Sequence, residues 1–216
     1  MKHFFVLLVI LFGVIAKVPA QGTLLFGNYV NGILLAPIFG PDPSNPAMEK
    51  HGQSELGIAT GSIVYDGPLL NGAGYSVALY AGAYGASVDS LQVAATSTFL
   101  SSTHGSLPAG LWMPSVVSIP GVLAGNRVTV DIRVWDNRGG TITSWEDALR
   151  DPTVARGSSG AFSPLGLLGG SPIFPMDSPL IMVGMNSFNI AVPIPEPTVL
   201  ALLALSVVLV CRRKFA

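Results

Sequence analysis

The sequence predicts a mainly β protein: an antiparallel β-sandwich of jelly-roll or immunoglobulin-like type, with an N-terminal signal helix and a short C-terminal transmembrane helix. Three observations support this class. Residues 21–193 contain 24 glycines and 14 prolines, which leaves little room for long helices. Residues 127–135 alternate between apolar and polar side chains, as a half-buried strand does. Only 11% of the chain is charged, and its apolar excess lies at the two ends.

The N-terminus has the three parts of a secretory signal peptide. A basic start precedes a long apolar run, and small residues stand just before Gln21. The pattern predicts a signal peptide over residues 1–20, cut between Ala20 and Gln21. Because a permanent membrane helix needs roughly 20 apolar residues, this shorter run does not suit an anchor. We therefore predict that the chain is exported.

Within the predicted exported domain, residues 21–193, six further segments have short apolar or β-branched runs bounded by turn residues, and are predicted as strands. They are residues 23–30, 57–65, 75–81, 91–99, 115–119 and 180–192. One short helix is predicted after Ser144, which forms a capping box with Asp147, and Asp151-Pro152 ends it. Residues 157–179 are rich in Gly, Ser and Pro, as in a long surface loop. Strands without alternating helices favour two packed sheets.

The C-terminus, residues 194–216, combines three features in a fixed order. Pro195, Glu196 and Pro197 are followed by an uncharged run at 199–211, and then by the basic residues Arg212, Arg213 and Lys214. As a helix the apolar run spans about 20 Å, and snorkelling basic side chains would make up the difference from the roughly 30 Å hydrocarbon core. The basic cluster places the tail in the cytoplasm and the preceding domain outside, with Glu196 exposed there.

This arrangement resembles the PEP-CTERM sorting signal of Gram-negative bacteria over about residues 194–214. The resemblance implies recognition by an exosortase, a transpeptidase-like membrane enzyme. It also implies a precursor in the inner membrane, and a surface or matrix protein associated with exopolysaccharide and biofilm. Thr198 departs from the serine common in that family, and Lys214 adds a lysine to the arginine cluster. Residues 22–136 and the Gly-rich loop are similar to ectodomains that often precede this signal, which implies no chemistry.

The charge and the cysteine content limit the kinds of partner and site that the predicted exported domain can have. Residues 21–193 hold six basic and eleven acidic residues, a net charge of −5, which argues against nucleic acid. The single cysteine, Cys211, lies in the tail, so the exported domain has no disulfide. His51 and His104 lack metal-binding spacing, and Asp42 and Asp136 suit turns better than calcium. We expect no cofactor and no metal.

Carbohydrate binding is the most specific activity that the residues suggest. Trp135 shares the polar face of the strand at 127–135 with Arg133 and Asp131, and an exposed aromatic ring beside polar groups suits a sugar. The alternative is a solvated charge ladder, also including Arg127, with aromatic rings that cap the edge of the core. Further aromatic candidates are Tyr65, Tyr80, Tyr84 and Trp112.

The sequence as a whole predicts a non-enzymatic exported protein of structural or adhesive type, at the cell surface or in the extracellular matrix. Two alternatives stay open: a carbohydrate-binding module retained by exopolysaccharide, and a hydrolase with a dispersed carboxylate pair. No Gly-x-Ser-x-Gly motif supports a serine hydrolase. The adjacent carboxylates of Glu146 and Asp147 fit the first turn of the predicted helix.

Overall fold

A computed structural model of the chain describes residues 21–101, 109–170 and 178–194, which form a mainly β structure. The elements in these ranges are β1 (Gln21–Phe26), β2 (Tyr29–Val30), β3 (Leu34–Leu35), β4 (Ile38–Phe39), β5 (Tyr75–Ala83), β6 (Gln92–Thr98), β7 (Ser115–Leu123), β8 (Val128–Asp136), α1 (Trp145–Arg150), β9 (Arg156–Ser158), β10 (Leu180–Ile181) and β11 (Phe188–Asn189). A 3-10 turn lies at Val88–Ser90. The strands predicted at 75–81, 91–99, 115–119 and 127–135 are confirmed, with slightly different ends, as β5, β6, β7 and β8.

The longer strands belong to two sheets. One has the antiparallel order β6-β5-β8-β9, and the other has the order β10-β1-β7. β1 pairs with β10 in parallel, and so does β4 with β11, so the prediction of purely antiparallel pairing is wrong at these two places. Both parallel partners come from the C-terminal part of the domain. Parallel neighbours need such long connections, because a tight hairpin can join only antiparallel strands.

One apolar cluster receives side chains from both sheets. Val130 and Ile132 of β8 meet Leu24 and Phe26 of β1 and Ile119 of β7, and all five are fully buried. Burying a side chain of this size stabilises the fold by about 1.5–3 kcal/mol. The β8 members lie on the face that the alternation at 127–135 predicted to be apolar.

The strand predicted at 23–30 is broken after Phe26. Asn28 explains the break, because its fully buried side chain donates to the carbonyls of Ala36 and Gly110, both at 2.8 Å. A buried amide needs such partners, and the chain leaves the strand path to supply them. The strand resumes only as β2.

The strand predicted at 57–65 is absent. The amides of Gly57 and Gly61 both donate to the carbonyl of Ser54 at 3.1 Å, so the chain turns back on itself. Gly61 lies so close to the backbone of Gln53 that a β-carbon there would clash. The segment forms a single parallel β-bridge, between Ser54 and Ile63, in place of the predicted strand. Glycine turns therefore override the short apolar run that predicts a strand here.

The segment predicted as one strand at 180–192 forms two short strands, β10 and β11. A turn separates them, in which the Met185 amide donates to the Met182 carbonyl at 3.1 Å. The predicted loop at 157–179 overlaps β9, which pairs with β8, and it makes single bridges at Phe162 and Gly169. Residues 171–177 of this loop lie outside the described residues.

The predicted helix is confirmed as α1, with the predicted cap. The Ser144 hydroxyl accepts from the Asp147 amide at 3.1 Å and donates to the Asp147 carboxylate at 2.7 Å. At the other end of the helix, the Arg156 guanidinium donates to the Ala148 carbonyl at 2.6 Å and to the Asp151 carbonyl at 3.0 Å. Both ends of this short helix therefore have hydrogen-bond partners, which compensates for its length.

The position of α1 gives the four-stranded sheet a second buried face. Tyr80 of β5 and Trp135 of β8 pack there with Ala148 of α1 and with Val154. These strand residues alternate with those of the main cluster, so they point to the opposite side of the sheet. β8 is consequently buried on both faces.

Candidate functional site

The predicted ligand face of β8 is covered. Asp131, Arg133 and Trp135 are 1%, 9% and 2% exposed. Trp135 Nε1 donates to the Ile142 carbonyl at 3.0 Å, and the indole meets Trp145 edge-on with 6.4 Å between ring centroids. The three side chains share a face, as the alternation predicts, but the layer that contains α1 lies over it. Neither an open ligand face nor a solvated ladder exists at these three positions.

The charged pair on this face is held within the fold. Arg133 Nε donates to Asp131 Oδ2 at 2.8 Å, and the Ser158 hydroxyl donates to the other carboxylate oxygen. The guanidinium carbon of Arg133 lies 3.9 Å from the centroid of the Tyr80 ring, and Arg133 also donates to the Val88 carbonyl at 3.2 Å. A buried charge pair with these additional partners meets the condition for stability in a low-dielectric site. The pair links β8 to β9 through Ser158 and to β5 through Tyr80.

Two of the four further aromatic candidates, Trp112 and Tyr80, are buried, and a third, Tyr65, is partly buried. Trp112 is fully buried. Tyr80 is buried as well, and burial together with its hydrogen bond to Glu146, at 3.0 Å, raises the pKa of Tyr80 to about 12. The Tyr65 hydroxyl lies within 2.8 Å of the carbonyls of Gly52 and Ser187, and burial raises the pKa of Tyr65 well above its ordinary value.

The predicted turn aspartates have the expected local bonds. Asp42 Oδ1 accepts from the hydroxyl and the amide of Ser44, at 2.6 and 2.8 Å, and Oδ2 lies 3.0 Å from Lys50 Nζ. These hydrogen bonds, from Ser44 first and Lys50 second, hold the pKa of Asp42 well below its usual range. Asp136 Oδ1 accepts from the Arg138 amide at 2.9 Å. Turn formation is confirmed at both positions.

Other predicted positions are exposed or lie outside the described residues. His51 is 48% exposed, with Nε2 3.9 Å from the Glu49 carboxylate. Within the described ranges, no group of three or more His, Cys, Asp or Glu side chains could hold a metal ion. Gln21 is the first residue of β1. The predicted residues outside the description are Ala20, His104, Pro195, Glu196, Pro197, Cys211, Arg212, Arg213 and Lys214.

Tyr84 is the predicted aromatic candidate that is open to solvent, and it lines a cleft. The side chain is 57% exposed, directly after the last residue of β5. The cleft has a volume of about 570 Å³ and lies where β5 and β7 end and β8 begins. Its walls are Ala83, Tyr84, Gly121, Val122, Leu123, Asn126 and Arg127, and we call it the Tyr84–Arg127 cleft.

Backbone hydrogen bonds fix both walls of the cleft. After Tyr84, the Gly85 amide donates to the Thr129 hydroxyl of β8 at 2.9 Å. On the opposite wall, the turn between β7 and β8 has Gly125 at φ +77°, a conformation that favours glycine. This turn is tied to Leu168 by two hydrogen bonds: Gly125 donates to the Leu168 carbonyl at 2.8 Å, and Leu168 donates to the Asn126 carbonyl at 2.9 Å. The backbone on both sides of the cleft is therefore fixed by hydrogen bonds.

Arg127 and Tyr84 form a cation–π pair in the lining of this cleft. The guanidinium carbon of Arg127 lies 4.1 Å from the centroid of the Tyr84 ring, a cation–π distance. More than half of the Tyr84 side chain stays exposed although Arg127 covers part of it. The cleft thus presents an aromatic ring, a cation and the Asn126 side-chain amide beside the exposed apolar side chain of Leu123, a mixture typical of small-ligand sites.

Sequence reasoning found Tyr84 but missed its partner. The alternation places Arg127 on the polar face of the predicted strand at 127–135, whereas β8 begins at Val128 and leaves Arg127 just before it. Asn126 belongs to no predicted site. The available signal was the pair of Gly-flanked segments, Ala83-Tyr84-Gly85 and Gly125-Asn126-Arg127, since polar and aromatic residues in tight turns at strand ends are commonly exposed.

Across the residues that the structure describes, no helix is long and apolar enough to cross a membrane. Comparison of the chain with protein-family models, with curated proteins and with solved structures finds no match.

Proposed function

We propose that this chain is an exported, non-enzymatic protein of structural or adhesive type, sorted to the cell surface or the extracellular matrix by its C-terminal signal. One observation carries the proposal. The folded domain continues to the edge of the motif: the Val192 amide still donates to the Pro46 carbonyl at 2.8 Å, and Ile194 is 74% exposed. The sequence Pro195-Glu196-Pro197 follows at once. A sorting enzyme at the membrane would therefore act directly beside a folded domain.

The finer fold type belongs to the same proposal. We infer that the two larger sheets are the two layers of a β-sandwich. The shared apolar cluster of β1, β7, β5 and β8 supports this arrangement, because side chains from both sheets are buried together in it. Three carboxylates, those of Asp42, Asp136 and Asp147, are each engaged in a turn or a helix cap, which argues against these three as general acids or bases.

The sorting proposal is tested with Glu196→Ala in the cells that make the protein. We expect export to continue and removal of the tail by an exosortase-like enzyme to stop. The intact mass of the protein from membrane and extracellular fractions then includes Arg212, Arg213 and Lys214. Glu55→Ala is the control, since it removes an exposed carboxylate within the folded domain. Normal tail removal in the Glu196→Ala variant would overturn the proposal.

Carbohydrate binding is a second candidate, favoured by the Tyr84–Arg127 cleft. Tyr84 provides an exposed aromatic ring beside polar groups, which is the combination that the sequence predicts at Trp135. The test is retention on an immobilised exopolysaccharide, which Tyr84→Ala should abolish. Leu167→Ala is the matched control, because Leu167 is also 57% exposed and does not line the cleft. Equal retention of both variants would exclude this site.

A further inference from the structure

We propose that the Tyr84–Arg127 cleft binds an acidic sugar, a single uronate unit whose carboxylate pairs with Arg127. The inference rests on the proposed carbohydrate binding and adds the charge class of the ligand. It is carried by the absence of a carboxylate or carbonyl partner for Arg127 among the described residues, by the position of its guanidinium over the Tyr84 ring, and by the net charge of −5 over residues 21–193.

Arg127 differs from the other basic side chains of the domain. Five of the six basic residues at 21–193 are bound by carboxylates or backbone carbonyls: Lys50, Arg133, Arg138, Arg150 and Arg156. Within the described ranges, Arg127 has neither kind of partner, and its contact is the Tyr84 ring. A guanidinium kept in a cleft without an anion is suited to receive one from a ligand.

The contact with Tyr84 prepares Arg127 for a carboxylate. The guanidinium carbon lies over the ring, 4.1 Å from its centroid, and among the described residues its N–H groups have no carboxylate or carbonyl acceptor, so they are free for a ligand. Two parallel N–H donors match the two oxygens of a carboxylate. Holding the long side chain on the ring also lowers the conformational entropy that binding would otherwise cost.

The remaining lining favours a sugar over an acidic peptide. The Asn126 side chain makes no hydrogen bond within the described part of the chain, so its amide can both donate to and accept from sugar hydroxyls. Leu123, which is 43% exposed, gives apolar surface for the C–H face of a sugar ring. A domain of net charge −5 repels a dense polyanion, so the favoured ligand has isolated carboxylates among neutral sugars.

The experiment measures binding of the full chain in detergent by titration calorimetry. The probe is the gellan tetrasaccharide, which carries one glucuronate among neutral sugars, and its carboxyl-reduced form is the matched neutral probe. We expect the acidic form to bind tighter by on the order of 10-fold, and added salt to reduce the difference. Arg127→Gln should remove the preference, while Arg127→Lys keeps part of it. Arg150→Gln, which removes a charge outside the cleft, should leave binding unchanged.

Each other outcome overturns a defined part of the reasoning. If both probes bind equally and Tyr84→Ala abolishes that binding, the proposal of an acidic ligand is overturned. Carbohydrate binding at the cleft would still hold. If neither probe binds, the proposal of an acidic ligand is overturned. Carbohydrate binding itself, the second candidate function, is then tested separately by retention on exopolysaccharide. An equal loss in Arg150→Gln would mean non-specific charge attraction. An acidic peptide that binds as tightly as the tetrasaccharide, through Arg127, would overturn the sugar class. A thermal melt of each variant establishes that it is folded.

Discussion

Replacement of Asp131 by alanine should strongly destabilise the domain. Asp131 is 1% exposed on β8, and its partner Arg133 has a side chain that is 11% exposed. The substitution leaves the guanidinium buried on the Tyr80 ring, where it still donates to the Val88 carbonyl but has no ion-pair partner among the described residues. An uncompensated buried charge of this kind costs about 3–5 kcal/mol, a large fraction of the 5–15 kcal/mol that a typical domain has.

A double-mutant cycle separates the pair from other effects of the substitution. Arg133→Met alone leaves the Asp131 carboxylate buried with the Ser158 hydroxyl, and it should also destabilise the fold. Combining it with Asp131→Ala removes both charges, so the double variant should lose about 1–3 kcal/mol less than the sum of the single losses. Arg150→Ala breaks an exposed ion pair with Asp147 and should cost less than about 1 kcal/mol.

The assay is urea unfolding at pH 7, followed by tryptophan fluorescence, because Trp135 and Trp145 lie beside the pair. The free energy of unfolding of each variant is compared with that of the unmodified chain. A loss below about 1 kcal/mol in Asp131→Ala, or additivity within about 0.5 kcal/mol in the cycle, would refute the argument that this pair is buried and mutually dependent.

Three further predictions concern the N-cap of α1, the close packing of Gly157 against neighbouring backbone, and stability at low pH. Ser144→Ala removes the helix cap and should lower the free energy of unfolding by about 1 kcal/mol in urea titration. Gly157→Ala should cost about 1–3 kcal/mol, since its β-carbon would lie 2.6 Å from a carbonyl oxygen, whereas Gly74→Ala meets open space and should change stability little. Hydrogen bonds led by those from Ser44 hold the pKa of Asp42 below its unfolded value, so their stabilisation is present above about pH 4 and lost as pH falls further. Asp42→Asn should therefore flatten the stability curve of the chain below pH 4, measured by urea midpoints; an unchanged acid slope would contradict this assignment.

The strands and the helix were predictable where the signal is local. The alternation at 127–135 identified β8 and its apolar face, and the Ser144–Asp147 pair identified the start of α1. Such patterns depend on backbone geometry over a few residues, which the sequence contains directly. The failures at 23–30 and 57–65 arose where a distant partner of Asn28, or glycine turns around Ser54, overrode the local pattern.

The candidate site was less predictable, for a related reason. A polar face on a strand is open or covered depending on what packs over it, and alternation contains no information about α1. The alternation therefore predicts Trp135 at the surface, whereas the structure buries it, and among the aromatic candidates Tyr84 is the exposed one. Arg127 meets Tyr84 because β5 and β8 are antiparallel neighbours whose ends coincide.

The sequence by itself determined that the domain is mainly β, that β8 has an apolar face, and that α1 begins directly after the cap residue Ser144. Side-chain period, turn residues and capping chemistry act between near neighbours, so the chain specifies them locally. The tertiary structure alone decided that Asp131 and Arg133 form a buried pair and that Tyr84 and Arg127 share a cleft. Burial and long-range contact depend on how separate elements pack, and that packing is a property of the whole fold.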